Sequence, residues 1–468
     1  MKTVKSTFRF RGGVHPDYNK DLARGKAIER MPVPAELVIS MSQHLGAPAK
    51  CIVKAGDYVR RGQLIGEKNG FISVCVRASA SGLVKAIEPR PDAAGGMTPA
   101  VILDTTAERP VDAAPSPRQE TEPAVLPPLD WRVATREDLL KRIEEAGICG
   151  MGGAGFPTNV KLNPPPGKRC EYLILNGAEC EPYLCADHRL MLERADRIRV
   201  GVEIMRKILG ECAVRIAIEA NKPDAIAAME KAFADIDGNV EIVVLPALYP
   251  QGSEKHQIYA TVGRIVPEPP ALPIDVGCVV ENVGTVVAIA DAVEKGEPLL
   301  TRVTTVSGDA VAEPKNILAP CGTKYADLVA FCGGEKGVPA KVISGGTMMG
   351  FAVPSLEIAT TKTTSGLLLL SKDRVFQYSS QACINCGRCV RACPMSLNAA
   401  DLAKAVEADD IKSAEDLHVM TCIECGACSF VCPAYRPITQ FCRRAKNSIR
   451  ARIAAEKEKA AAAAKKSE

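Results

Sequence analysis

Several features that define large classes of proteins are missing from this chain. Its 468 residues contain no run of 18 or more apolar residues, so we expect no membrane-spanning helix of its own. The opening residues MKTVKSTFRFRGG hold no apolar core and no cleavage site, so we expect no secretion signal. The formal net charge is only +4, which gives no indication of nucleic-acid binding.

Histidine is scarce and cysteine is abundant. Only five histidines occur, none in a pattern typical of acid–base catalysis, and we interpret His188 in CADHR as structural. The nineteen cysteines of a chain without an export signal indicate metal binding rather than disulfides. Cys180 and Cys185 lack the paired spacing of a metal site, so we assign them no metal. Together these observations predict a cytoplasmic protein.

Eight of the cysteines repeat one spacing twice near the carboxyl end. Each copy reads C-x-x-C-x-x-C-x-x-x-C-P, as CINCGRCVRACP over 383–394 and as CIECGACSFVCP over 422–433. This is the spacing of bacterial ferredoxins, whose fourth cysteine ligates the other [4Fe–4S] cluster. Zinc sites show two C-x-x-C pairs instead, so we predict two clusters and single-electron transfer. The predicted ligand sets are Cys383, Cys386, Cys389 and Cys432 for one cluster, and Cys422, Cys425, Cys428 and Cys393 for the other.

The rest of the sequence predicts an α/β protein of several domains. Short β-branched runs between glycines resemble the barrel-sandwich of biotinyl and lipoyl carriers, but the turn ASASG (78–82) has no lysine to modify. We therefore expect a structural or docking barrel. Alternating helix and strand patterns then predict a parallel sheet, followed by a strand–helix–strand module of ubiquitin-like size and a helical ferredoxin-type region. The expected boundaries are 1–105 for the barrel, 106–130 for a linker, 131–298 for the α/β domain, 299–375 for the small module, 376–445 for the ferredoxin-type domain and 446–468 for a charged tail.

A glycine-rich loop over 147–157, GICGMGGAGFP, is the first candidate ligand site. Gly150, Gly152 and Gly155 formally satisfy G-x-G-x-x-G, but a helix precedes the loop where the dinucleotide fingerprint requires a strand. The standard dinucleotide fold is therefore rejected. Successive N–H groups of such a loop can instead cradle a phosphate, with Lys161 nearby to neutralise it. A purely structural turn is the alternative.

Polar residues follow the predicted strand CEYLILN. Asn176, Glu179 and Glu181 come at its carboxyl end, where open parallel sheets bind ligands, so they are placed to hydrogen-bond a heterocycle or a ribose. The alternative is that the glutamates are merely solvated loop residues. The loops at 249–256 and 280–285 each begin a helix, whose free N–H groups can cap a phosphate or a carbonyl.

These motifs occur in a recognisable order. GMGGAGFPTNVK, NGAECEPYLCADHRLM, YPQGSEK and ENVGT resemble the flavin- and NADH-binding subunit of respiratory complex I, and the small module after them resembles its β-grasp domain. That subunit ends in a helical bundle with one four-cysteine cluster, whereas this chain has a two-cluster segment and an added amino-terminal barrel. This combination, with the start FRGGVHP, is similar to the C subunits of Rnf electron transport complexes. The resemblance covers the chain from about residue 7 to residue 445.

The resemblance implies an FMN site and an NADH site on the α/β domain. It implies that Asn176, Glu179 and Glu181 lie near the isoalloxazine and the nicotinamide, with the two glutamates as the catalytic positions. It further implies that Lys161 meets the phosphate or ribityl chain and that Phe156 stacks on NADH. The remaining implied flavin-lining residues are Gly152, Gly153, Ala154, Gly155, Tyr249, Gly252, Glu254 and Asn282.

The chain departs from the complex I pattern inside this site. Met151 stands where complex I has an arginine, and Ala178 stands where it has an aspartate. Ser253 and Glu254 replace an acidic pair. We expect these substitutions to change the contacts with NADH or the reduction potential of the flavin relative to complex I.

The function implied by the resemblance is electron exchange with NADH. A flavin accepts two electrons as hydride and releases them singly, so it connects NADH to iron–sulfur clusters. The expected partners are the iron–sulfur B subunit of an Rnf complex and membrane subunits that move Na⁺ or H⁺, with this chain peripheral at the cytoplasmic face of the membrane. A diaphorase subunit of a soluble hydrogenase or formate dehydrogenase is one alternative. An electron-relay scaffold without nucleotide binding is the other.

Overall fold

The computed structural model describes residues 1–108, 125–236, 238–376 and 379–466. Most of the predicted linker, residues 109–124, lies outside the described residues.

The strands and helices of the described residues are as follows. The strands are β1 (Lys2–Lys5), β2 (Ile28–Arg30), β3 (Glu36–Ser40), β4 (Lys50–Cys51), β5 (Tyr58–Val59), β6 (Leu64–Glu67), β7 (Val76–Arg77), β8 (Gly82–Pro91), β9 (Met97–Asp104), β10 (Tyr172–Gly177), β11 (Ala213–Glu219), β12 (Val240–Leu245), β13 (Cys278–Asn282), β14 (Thr301–Ser307), β15 (Lys315–Pro320), β16 (Lys341–Ser344), β17 (Phe351–Val353) and β18 (Gly366–Leu370). The helices are α1 (Arg136–Glu145), α2 (Thr158–Lys161), α3 (Ala186–Glu193), α4 (Ala195–Leu209), α5 (Pro223–Ala232), α6 (Glu254–Val262), α7 (Val283–Glu294), α8 (Tyr325–Phe331), α9 (Arg388–Ala392), α10 (Ala399–Glu407), α11 (Ile411–Asp416), α12 (Ala427–Phe430) and α13 (Ile438–Lys466).

A parallel sheet of order β1-β12-β11-β10-β13 forms the centre of the α/β unit. Its strands are apolar on both faces, because helices cover both. Leu173 and Leu175 point into a core shared with α1, α4, α5 and α7, while Ile174 packs on the opposite face against α6. The carboxyl ends of β10 and β13 lie side by side, with Asn176 opposite Asn282. The sheet therefore presents the loops of the predicted ligand site at one edge.

Two small antiparallel sheets, β3-β9-β8-β5 and β4-β6-β7, form the barrel unit. Their core contains Leu37, Ile39, Ile65 and Leu103, all without exposed surface.

A further unit follows the α/β sheet in the chain. It is a mixed sheet of order β17-β16-β18-β14-β15-β2, with α8 packed against it.

The first 35 residues do not join the barrel, although the predicted unit 1–105 includes them. β1 pairs with β12 of the parallel sheet, and β2 pairs with β15 of the mixed sheet. Between these strands, Val14 forms a bridge to Tyr249. We call residues 1–35 the amino-terminal strap, because they run across three units before the barrel begins.

The carboxyl-terminal unit is helical. Leu402 and Val406 of α10 pack against Ile438, Cys442 and Ile449 of α13. The predicted tail continues α13 as far as Lys466. In the part of the chain that the structure describes, no helix combines the length and the apolar character needed to cross a membrane.

Candidate functional site

The glycine loop is fixed at its first half by the start of α7. The Met151 N–H donates to Thr285 Oγ1 at 2.9 Å, and the Met151 carbonyl accepts from Arg302 Nη2 at 3.1 Å. A Cβ on Gly152 would lie 2.9 Å from Asn282 Cβ, so the loop passes too close to β13 for a larger residue. The next residues, Gly153 and Ala154, are exposed. Their backbone is thus free to approach a ligand.

Lys161 lies beside two carboxylates. Its Nζ is 2.9 Å from Glu254 Oε1, an ion pair that joins α2 to α6. Burial opposes the charge of Lys161, but Glu254 and Glu281 hold the pKa of Lys161 above its usual value. Burial raises the pKa of Glu281 to about 7, and Glu281 Oε1 has no hydrogen-bond partner among the described residues. The ammonium group of Lys161, which the sequence predicts to meet a phosphate, is therefore already paired with Glu254.

Asn176 joins the two polar loops. Its Nδ2 donates to the Gly252 carbonyl at 2.8 Å, and its Oδ1 accepts from the Ala178 N–H at 3.1 Å. The Gly252 N–H in turn donates to Cys180 Sγ at 3.2 Å. Asn176 and Gly252 are thus in contact in the structure, although they are 76 residues apart in the sequence.

Glu179 turns its side chain into the protein. Its two carboxylate oxygens accept from the N–H groups of Asp187, at 2.7 Å, and His188, at 3.2 Å. Lys20 of the amino-terminal strap lies 3.8 Å from the same carboxylate, and its Nζ donates to the Glu179 carbonyl at 2.8 Å. Glu179 has a φ of 44°, a left-handed conformation that is unfavourable for glutamate and that is often found at functional sites. Glu179 therefore shapes the loop, with its carboxylate engaged by protein groups.

Glu181 connects the α/β unit to the mixed sheet. Its oxygens accept from the N–H groups of Met348, at 3.1 Å, and Met349, at 2.9 Å. Burial raises the pKa of Glu181 above its ordinary value, while these N–H groups favour the ionised form. The Tyr249 hydroxyl lies 3.4 Å from Glu181 Oε1 and donates to the Cys425 carbonyl at 2.7 Å. Tyr249 thus lies between a predicted catalytic residue and a predicted cluster ligand.

The eight predicted cluster cysteines line two separate cavities. We call them cavity A and cavity B. Among the residues that the structure describes, no group of three or more His, Cys, Asp or Glu side chains is placed to hold a single metal ion. A [4Fe–4S] cluster is larger and spreads its thiolates around its corners, so four sulfurs around a cavity fit it. Cavity A is lined by Cys383, Cys386, Cys389 and Cys432, and cavity B by Cys393, Cys422, Cys425 and Cys428.

Cavity B contains a ninth cysteine that sequence reasoning missed. Cys442 of α13 lines the cavity and is 2% exposed. Its thiol lies beside Cys422 and lowers the pKa of Cys422 below its usual value. The Glu424 N–H also donates to Cys422 Sγ, at 3.3 Å. Cys442 lies outside the repeated spacing, and its position on the inner face of a helix was the only signal available in the sequence.

Cavity B docks against the α/β unit. A Cβ on Gly12 would lie 2.7 Å from the Cys393 carbonyl oxygen, so the amino-terminal strap lies directly on this ligand. His256 Nε2 lies 3.2 Å from the Pro394 carbonyl oxygen. Cavity A instead lies at the surface, where its cysteine Cys386 is exposed. The two cavities therefore differ in position, one toward the predicted flavin site and one toward the surface.

A layer of buried charges under the polar loop was also missed. Lys222 Nζ donates to the Ala178 carbonyl at 2.6 Å and pairs with Glu219 at 3.1 Å. Burial, reinforced by Glu179, raises the pKa of Asp187 to about 6. Lys222 and Ala178 are 44 residues apart in the sequence, so no local motif marks their contact.

Arg302 supplies a guanidinium beside the glycine loop, at the carbonyl of Met151. It comes from β14 of the mixed sheet, is buried, and its Nε has no partner among the described residues. Asn282 caps the start of α7 and donates to Asp187 at 2.7 Å, while Asp187 Oδ1 also lacks a partner in the described part of the chain. Buried polar atoms without partners around a glycine loop fit a polar ligand such as FMN.

Comparison with known proteins identifies the family of this chain. Four family models match successive parts of the chain: the RnfC barrel sandwich hybrid domain over 8–108, the Nuo51 FMN-binding domain over 143–291, the SLBB domain over 303–352 and the 4Fe-4S dicluster domain over 376–433. The chain is 48% identical to the C subunit of the proton-translocating ferredoxin:NAD(+) oxidoreductase complex of Clostridium ljungdahlii, over 96% of each chain. The chain belongs to the RnfC family.

A second RnfC-family relative is similar over nearly the same length. It is the C subunit of the Na(+)-translocating ferredoxin:NAD(+) oxidoreductase complex of Acetobacterium woodii, 41% identical over 94% of this chain and 97% of that protein. A solved NAD⁺-reducing [NiFe]-hydrogenase in the H₂-reduced state is 24% identical, with a TM-score of 0.44, over 52% of this chain and 48% of that chain. That likeness is too low to decide anything about function.

The RnfC assignment confirms the predicted family and the predicted fold class. The matched models also confirm FMN and [4Fe–4S] clusters as the cofactors of this Rnf-type electron transport subunit. The individual site residues and the domain boundaries remain predictions.

Proposed function

We propose that this chain exchanges electrons with NADH as the peripheral nucleotide-binding subunit of an ion-translocating ferredoxin:NAD⁺ oxidoreductase complex. The relatives from Clostridium ljungdahlii and Acetobacterium woodii are named as subunits of such complexes, one translocating protons and one sodium.

The proposed flavin site is the edge of the parallel sheet between the glycine loop and α7. Bound FMN supplies the conversion between a two-electron hydride and single electrons. Gly152, Gly153, Ala154 and Gly155 would hold it by close backbone contact, and the start of α7 with Asn282 would favour its phosphate. The guanidinium of Arg302 balances negative charge at this end of the loop.

The proposed reacting end of the flavin lies toward Glu181 and Tyr249. Glu181 is held by the N–H groups of Met348 and Met349, so its carboxylate keeps one orientation. Phe156 is half-buried at the far end of the glycine loop, where it can stack on NADH.

One observation carries the proposal. The Tyr249 hydroxyl donates to the Cys425 carbonyl and lies next to Glu181, so one buried side chain joins the proposed flavin site to cavity B. The order of sites from the α/β unit outward is cavity B and then cavity A, whose Cys386 is exposed. Electrons that pass in this order reach the exposed cavity A last, where another iron–sulfur protein can accept them. We propose the iron–sulfur B subunit of such complexes as that partner, with membrane subunits holding the chain at the cytoplasmic face.

The test is electron transfer by the full chain, purified without oxygen and reconstituted with FMN, iron and sulfide. We expect releasable FMN and NADH-dependent reduction of an artificial one-electron acceptor. The variant Gly153→Glu places a charged side chain on the exposed glycine loop and should abolish FMN retention while leaving the iron content unchanged. Cys51→Ser, far from both cavities in sequence and within the barrel, is the matched control.

The contrary outcome supports a different function. Iron–sulfur absorbance without releasable FMN or NADH oxidation would favour the electron-relay scaffold. Copurification of the chain with membrane subunits separates the proposed complex from a soluble hydrogenase or formate dehydrogenase diaphorase.

A further inference from the structure

The barrel unit has no role in the function proposed above, yet it contacts the glycine loop directly. We call residues 42–47 the His44 loop. The Leu45 N–H donates to the Gly155 carbonyl at 3.0 Å, and a Cβ on Gly155 would lie 3.1 Å from His44 Cα. The Cys149 thiol lies 3.8 Å from the Gln43 carbonyl oxygen. The barrel therefore forms one side of the loop that is proposed to bind the flavin.

The His44 loop is rigidly placed. Gly46 has a φ of 103°, and a Cβ there would lie 2.0 Å from the Ile72 carbonyl oxygen, so only glycine fits. Gln43 Oε1 accepts from the Lys362 N–H at 3.1 Å. The Lys362 side chain is 2% exposed, and its ammonium donates to the carbonyl of Gly147 at 2.7 Å and to that of Cys75 at 2.8 Å. Barrel, α/β unit and mixed sheet thus meet beside the glycine loop.

Apolar side chains remain uncovered at this junction. Leu45 is 48% exposed, although its own backbone is bonded to Gly155. Phe71 is 75% exposed and directly precedes Ile72, whose carbonyl accepts from the Ala47 N–H at 3.2 Å. A single exposed leucine is ordinary, but an exposed phenylalanine next to a residue bonded to the His44 loop offers a flat surface for an aromatic ring. We call Leu45 and Phe71 the barrel rim.

We propose that Leu45 and Phe71 form a wall of the dinucleotide site and contact the adenosine half of NADH. The inference rests on the proposed function. The two ends of the glycine loop have different neighbours, because Met151 is fixed to α7 and Gly155 to the barrel. The flavin phosphate is proposed at the α7 end, and the nicotinamide must reach the flavin near Glu181. The adenosine half therefore extends toward the solvent, where the Gly155 end presents Phe156 and the barrel rim.

The experiment compares NADH with reduced nicotinamide mononucleotide, which lacks the adenosine half. The full chain, loaded with FMN and clusters, is tested as Leu45→Asp and as Phe71→Ala. We expect KM for NADH to rise roughly tenfold in each variant, as for the loss of an apolar contact. The KM for the mononucleotide, the rate at saturation and the FMN content should not change. Met97→Asp, at a 64% exposed apolar residue of the β8–β9 hairpin in the same barrel, is the control.

Two outcomes would overturn the inference. An unchanged KM for NADH in both variants means that the barrel rim does not contact the dinucleotide. An equal rise for both substrates, with loss of FMN, means that the barrel only supports the glycine loop. Failure of the proposed function would show separately, because the unmodified chain would then oxidise neither substrate.

Discussion

Cavities A and B are built from the same cysteine spacing but have different surroundings. Cavity A opens to solvent and Cys386 is exposed, whereas cavity B lies under the amino-terminal strap and against Tyr249 and His256. The spacing determines which sulfurs converge, since both runs contribute three to one cavity and one to the other. The surroundings are set by the rest of the chain. Two sites with one motif are therefore expected to differ in stability, in pH response and in reduction potential.

The largest expected effect comes from removing one ligand in each cavity. Cys386→Ala and Cys425→Ala should each lose about half of the iron, because each removes a predicted ligand of one [4Fe–4S] cluster. Only Cys425→Ala should also lower the melting temperature markedly, since cavity B is packed against the α/β unit. Iron analysis and thermal melting of the two variants measure this. Equal melting temperatures would contradict the distinction between the cavities.

A smaller effect is expected from Tyr249→Phe. The change removes the donor to the buried Cys425 carbonyl and should cost about 1–3 kcal/mol in the free energy of unfolding. Urea unfolding, followed by circular dichroism, measures the loss. Tyr58→Phe in the barrel removes a hydroxyl elsewhere and is the matched control. If both variants unfold at the same urea concentration, the hydroxyl does not contribute to the docking of cavity B.

Acidification should weaken the docking of cavity B through His256. Burial lowers the pKa of His256 below its usual value, while unfolded histidine titrates near about 6.5. Below that pH the unfolded chain binds more protons than the folded chain, so stability is lost as the pH falls. The urea midpoint should therefore drop between pH 7 and pH 5.5, and less so in His256→Gln. An identical drop in the variant would show that another group is responsible.

The smallest expected effect is on the reduction potential of the cluster in cavity B. The Cys442 thiol lines cavity B beside the predicted ligand Cys422, and an S–H donor next to a cluster sulfur favours the reduced cluster. Cys442→Ala should lower the potential of the cluster in cavity B, whereas Cys442→Ser keeps a donor and should change it less. Redox titration followed by electron paramagnetic resonance separates the two clusters. A shift of the cavity A signal instead would reverse the assignment of the cysteines.

The sequence predicted the parts of this molecule that depend on local spacing. The alternating patterns indicated α1, α4, α5 and the strands β10, β11 and β12 of the parallel sheet, whereas the short elements α2, α3, β15 and β17 were missed. The contacts of Lys20, Arg302 and Cys442 could not be predicted, because each joins residues far apart in the chain. β1 and β2 were missed for a physical reason: they are too short to show a period and are held by pairing with strands made more than 200 residues later.

The amino-terminal strap also constrains how the protein can be made. It is synthesised first, yet its partners are β12, Tyr249, Cys393 and β15. Domains usually fold in the order in which they leave the ribosome. Here β1 can pair only after residue 245 has emerged, β2 only after residue 320, and Gly12 can meet Cys393 only when that cysteine has emerged. Completion of the strap is therefore a late step of biogenesis that follows the synthesis of the first cysteine run.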